Sequence, residues 1–292
     1  MSTLFPQDKA VIALDETSPN CIKSILERYG YSFSPSYERE EMNKDWVRLK
    51  EKIVLNSSFN QENVSAVILS FEERNDRVNE ERISSYLLNK GISIFTSVNQ
   101  ESKLIENGAL PYQKEDDLKM KMMMAKAHHY LGIEARSLIL SSDSKAVSEA
   151  LKPLFSFARL AKKFQLIPIL EIEVDMRIPD KSKAEKKVMK ELIRFAKRRK
   201  KEDQIIYRLS FPEENDLYAP LLSFDSTFAL LSLENDLDNQ TILSKMKLNP
   251  SLTPAFSQLL LSKLNAKMDD SEFSSVLSSS LKEIKQESEN SH

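Results

Sequence analysis

The sequence predicts an α/β fold built on a buried parallel sheet, and two observations carry this. Apolar runs recur at residues 11–16, 66–72, 166–175 and 204–212, each ending in something polar. The run at 166–175, Leu-Ile-Pro-Ile-Leu-Glu-Ile-Glu-Val-Asp, is continuous in Ile, Leu and Val, as a strand covered on both faces should be. Between the runs lie longer stretches of helical periodicity. A chain of 292 residues with 41% hydrophobic content suits one large domain, so residues 1–284 are expected to form it and residues 285–292 a polar tail.

The elements follow in order. Ile22, Ile25, Leu26 and Tyr29 make the first helical face, and Trp46, Leu49, Ile53 and Val54 the second. A third strand is expected over 92–98, a short fourth over 135–140, a seventh over 227–231 and an eighth near 255–260. Gly30, Gly91 and Gly132 each stand between a helical pattern and a strand, where a left-handed helix cap favours glycine. The helix over 115–131 carries Met120, Met122, Met123 and Met124, read as gap-filling core. The helix over 145–164 turns Val147, Leu151, Leu154, Phe155, Ala158 and Ala161 inward. A charged helix over 181–201 buries Val188, Met189, Leu192, Ile193 and Phe195 and ends in five consecutive basic residues, Lys197 to Lys201, read as a solvated face complementing the helix dipole. An acidic partner or RNA is the functional alternative for that cluster.

Composition narrows the function classes. A formal charge of −2 supplies no global field for nucleic acid or an anionic membrane, and no apolar run approaches the roughly 18 residues of a span. A lone Cys21 and a start without a signal-peptide core point to a cytoplasmic protein. Neither metal nor cofactor is expected. His128 and His129 are adjacent and so point about 100° apart on a helix. There is no Gly-rich nucleotide loop, and the acidic pairs Glu72-Glu73, Asp116-Asp117 and Asp269-Asp270 read as solvated residues.

Ala13-Leu14-Asp15, the segment Ser-Ser-Tyr-Leu-Leu-Asn-Lys-Gly at 84–91, Glu171-Ile172-Glu173-Val174 and Pro-Glu-Glu-Asn-Asp-Leu-Tyr at 212–218 together resemble class I fructose-bisphosphate aldolase in its short bacterial form. The resemblance covers nearly the whole chain and implies a (β/α)8 TIM barrel and a lyase of glycolysis. It also implies a strand-six lysine that forms an imine with the ketose, at the position of Arg208 here. Arginine cannot take that role, because its guanidinium stays protonated below a pKa of about 12 and is a poor nucleophile. Lysines implied at Ser97 and Glu134, an arginine implied at Gln258 and a Ser-Gly-Gly turn implied at Ser232-Leu233-Glu234 are replaced as well. Each lost charge pair is worth on the order of 4 kcal/mol at 4 Å and a dielectric near 20, so a bisphosphate sugar should be repelled.

Other matched positions are retained. Asp15 and Glu171 correspond to groups that orient substrate and move protons, and Arg136, Glu173 and Ser232 to substrate-binding positions. Arg208 is expected to serve as a core ion-pair residue for Asp15 and Glu171. The expected function is therefore a catalytically degenerate aldolase homologue that binds or regulates. The alternative is an active lyase using a relocated lysine, Lys263 being the nearest to a strand, or a different substrate. Expected partners are a sugar phosphate or a protein, with homo-oligomers open and neither membrane nor nucleic acid favoured.

Overall fold

The computed structural model describes residue 5 and residues 9–16, 19–33, 39–99, 104–105, 107–233, 237–256 and 258–290. Glu234, which figured in the sequence argument, lies outside them. Eight strands run parallel in one sheet: β1 (Ala10–Leu14), β2 (Val64–Ser70), β3 (Ser93–Ser97), β4 (Gly132–Ile139), β5 (Ile167–Val174), β6 (Ile205–Ser210), β7 (Thr227–Leu233) and β8 (Thr253–Phe256). A two-residue strand, Ala109–Leu110, pairs antiparallel with β4. The intervening helices are α1 (Pro19–Tyr29), α2 (Arg39–Leu55), α3 (Ile83–Asn89), α4 (Leu118–Ala127), α5 (Ser144–Lys163), α6 (Lys181–Ala196), α7 (Asn239–Lys247), α8 (Gln258–Leu261) and α9 (Asp270–Asn290). The sheet closes through a β3–β4 pairing, and the fold is a (β/α)8 barrel.

By backbone contacts the chain divides into two compact units, residues 1–94 with 255–290, and residues 95–254 with 291–292. In the first, β1 is buried at every position and pairs with β2 on one side and, at Val11 and Ile12, with β8 on the other. Its helices use the apolar positions that periodicity indicated: Ile22, Leu26 and Tyr29 of α1, Trp46, Leu49, Ile53 and Val54 of α2, and Phe273, Leu277, Leu281 and Ile284 of α9 are buried. The last of these helices continues to Asn290, into the stretch expected as a polar tail.

In the second unit, β4, β5, β6 and β7 pair in sequence order. Val147, Leu151, Leu154, Ala158 and Ala161 of α5 are buried, and Asp143 caps the helix by accepting from Lys145 N at 2.6 Å. Phe155 departs from the expectation: it is half-buried and stacks on Phe195 of α6, ring centroids 4.0 Å apart, while Phe157 fills the interior. Of the α4 methionines only Met122 is core, since Met120 and Met123 are exposed. Gly132 is not a left-handed cap either. His129, at φ 61°, makes that turn, and Gly132 begins β4, where a Cβ would stand 2.1 Å from the carbonyl oxygen of Ile167.

Strand eight ends earlier than expected. Thr253–Phe256 is extended, whereas Gln258, the position matched to a strand-eight arginine, opens the four-residue helix α8. Apolar runs this short do not distinguish strand from helix by periodicity.

Candidate functional site

The sheet register assembles the site in the second unit. Across three neighbouring strands Arg136 pairs with Glu171 and Glu171 with Arg208, one rung of alternating charge. Side chains alternate between faces every residue along a strand, so Glu134 and Arg136 share a face of β4, and Glu171 and Glu173 share a face of β5. The β4 segment Ile-Glu-Ala-Arg therefore aims its two charged residues the same way.

Arg208 reaches two strands at once. Its Nη1 donates to Glu134 at 3.2 Å (Oε1) and 3.3 Å (Oε2), and to Glu171 Oε2 at 3.1 Å. Arg136 stands on the other side of Glu171, Nε to Oε1 at 3.1 Å, and its Nη2 also bonds Glu173. Asn99 donates to Glu134 Oε1 at 3.4 Å. Glu134 is wholly inaccessible to solvent, Glu171 and Arg208 nearly so, and the Arg136 side chain stays 43% exposed. The cluster is thus sealed at Glu134 and open at Arg136. Burial works against ionisation of Glu171, yet the guanidiniums of Arg208 and Arg136, with a side-chain hydrogen bond shared with Glu134, hold its carboxyl below the ordinary range. Ser232 lies at the end of β7, and its buried Oγ lacks a hydrogen-bond partner among the described residues.

Glu134, read from the sequence as an acid standing where a phosphate-facing cation would be, is in the structure a principal partner of Arg208, a contact that reading did not include. The period-two alternation with Arg136 was the available signal. Ser97, the other lost cation position in this unit, ends β3 and is buried.

Asp15 follows β1 in the first unit, partly exposed, and its charge acts on Lys50 of α2. Lys50 is buried, ion-paired with Glu73, and its Nζ lies 5.1 Å from the Trp46 ring centroid. Burial lowers the Lys50 amine to about 7, opposed by the negative charges of Asp76 and Asp15. Glu73 is accordingly not the solvated loop residue its sequence context suggested. Nothing in the spacing of positions 50 and 73 announces the pair. Lys263, the relocated amine nearest a strand, is half-exposed and paired with Glu283.

The arrangement can bind charge, orient polar groups through Arg136 and hold a buried cation. Its central side chain cannot add to a carbonyl, because a guanidinium does not release a proton in the accessible range. Fold and site define a (β/α)8 barrel with a buried arginine–carboxylate cluster in its strands.

No family model matches the chain. It is 26% identical over 280 residues, 95% of each chain, to the fructose-bisphosphate aldolase class 1 of Clostridium acetobutylicum. Its fold matches the fructose-bisphosphate aldolase of Plasmodium falciparum with a TM-score of 0.75, covering 99% of this chain and 93% of that one at 13% identity. That second likeness concerns the fold alone. The resemblance to class I fructose-bisphosphate aldolase thus holds over nearly the full length, and the fold is the (β/α)8 barrel it implies. No helix among the described residues is long and apolar enough to cross a membrane.

Proposed function

We propose that this class I aldolase-like barrel has lost imine chemistry and works as a binding or regulatory protein. One observation carries the reading: Arg208, at the position matched to the imine-forming lysine, is buried and bonded to Glu134 and Glu171. Removing the positive charge there would leave buried carboxylates uncompensated, whereas arginine retains the charge and adds donors. Retention of Glu171 then follows from structural need without catalysis. Arg136, the exposed member of the cluster, is the group offered to a ligand, and its planar fork suits a carboxylate or a single phosphate.

A second reading keeps a lyase, and Lys50 is the observation in its favour. A buried amine lowered to about 7 is neutral often enough at physiological pH to act as a nucleophile. Against it, Lys50 is 3% exposed and held by Glu73, so a ketose has no route to its Nζ without local opening. Borohydride reduction in the presence of fructose 1,6-bisphosphate, followed by peptide mapping, separates the readings. The expected result is no adduct and no aldol cleavage. An adduct on Lys50 or any other lysine, with cleavage, restores the enzyme.

A further inference from the structure

We propose that the groove between α5 and α6, on the outside of the barrel, is a binding site for a small polyanion carrying two or more phosphate groups. A cavity of about 560 Å³ opens there, and the side chains of Lys152, Arg159, Arg194, Arg198 and Arg199 line it. The stacked rings of Phe155 and Phe195 form its apolar wall. Glu191 is the acid in the lining, and it is already paired with Arg194.

Cationic surfaces are common; the argument rests on Arg199. Its side chain is 7% exposed, yet Nε and Nη2 have no hydrogen-bond partner among the described residues. The carboxylate of Asp203 stands 3.6 Å from Nε, beyond hydrogen-bond length, and is shared with Lys162. The guanidinium lies 5.2 Å from the Phe195 ring centroid. A buried donor left unsatisfied is costly, and natural proteins leave few of them. Burial, with the like charge of Arg159 beside it, lowers the Arg199 pKa, so the group gains whenever an anion enters.

The geometry favours a small ligand over a strand of RNA or an acidic polypeptide. The cations converge on a bounded volume, within the roughly 300–1,000 Å³ typical of small-molecule sites, instead of following a stripe. Arg199 is one of the residues lining that volume, and its guanidinium has donors to spare. Phosphate groups match because each offers several acceptor oxygens to guanidinium forks. Arg198 and Arg199 fall between the end of α6 and the start of β6, on the side of the strand amino ends, so this site is separate from the Arg208 cluster.

Isothermal titration of the full chain with inorganic pyrophosphate tests the proposal. One saturable site is expected, weakened at least about tenfold in the double variant Arg159→Gln/Arg198→Gln, whose side chains are exposed and whose fold should survive. Arg199→Gln should abolish binding, and the exposed pair keeps the test decisive if that variant does not fold. Lys44→Gln, at an exposed cation of α2 away from the groove, should leave the affinity unchanged. Absence of saturable binding, indifference to the double variant, or loss of binding in Lys44→Gln would each overturn the proposal. So would displacement of pyrophosphate by a lower concentration of single-stranded oligouridylate, which would make the groove an RNA surface.

Discussion

Replacing Arg208 with methionine, close in volume but uncharged, tests the electrostatic reading of the cluster most directly. Three hydrogen bonds to two buried carboxylates are lost, at 3.1, 3.2 and 3.3 Å. Breaking a buried ion pair by removing one partner costs about 3–5 kcal/mol. With a urea m-value of about 3 kcal/mol/M for a chain of this size, the unfolding midpoint should fall by about 1–1.7 M at pH 7. The loss should depend on pH, because Glu134 and Glu171 can escape the penalty by taking up protons. At pH 4 the gap between the two proteins should be at most about half its neutral value. Urea titrations at both pH values, followed by far-UV circular dichroism, give the numbers. A variant as stable as the parent at pH 7, or a loss that does not shrink in acid, would refute the idea that Arg208 is kept for charge compensation.

Other expectations follow from the same structure. Glu171 has a folded-state pKa below its unfolded value, so its contribution is present above about pH 4.5 and is lost as pH falls through the folded value; the stability difference between parent and Glu171→Gln should narrow over that acid range in chemical denaturation. Lys50→Met should cost about 3–5 kcal/mol at neutral pH by stranding Glu73, and Lys50→Met/Glu73→Leu should recover most of it; a double variant no better than the single would separate the two residues energetically. Gly132→Ala should destabilise by more than about 3 kcal/mol, because the added methyl meets main-chain atoms that cannot swing aside, and a melting temperature within about 2 °C of the parent would contradict this.

The strands were legible where both faces are covered. The run ending in Glu-Ile-Glu-Val is β5 to within a residue at each end, and its polar end marked Glu171, whereas Arg208 was placed by the family resemblance. Pairing across strands was less accessible. Arg208 was matched to the right strand but was expected to answer Asp15 and Glu171, while Glu134, 74 positions away, is also its partner. Lys50 and Glu73 escaped for the same reason: each looks like an ordinary solvated residue until helix α2 is laid against the turn after β2. The basic run from Lys197 was legible as charge, but only the fold reveals that Arg199 turns inward against Phe195 while its neighbours face water.

One guanidinium spanning three adjacent strands has a consequence for how this sequence can change. A lysine placed at 208 would bring a single ammonium to a spot where two acids wait, and it could satisfy them only by giving up the neutral form that makes an amine reactive. Covalent chemistry at 208 would therefore call for a simultaneous exchange at 134, such as Glu134→Lys together with Arg208→Lys. Positions 134 and 208 are thus coupled through one ion pair, and a change that removes the positive charge at 208 alone strands Glu134.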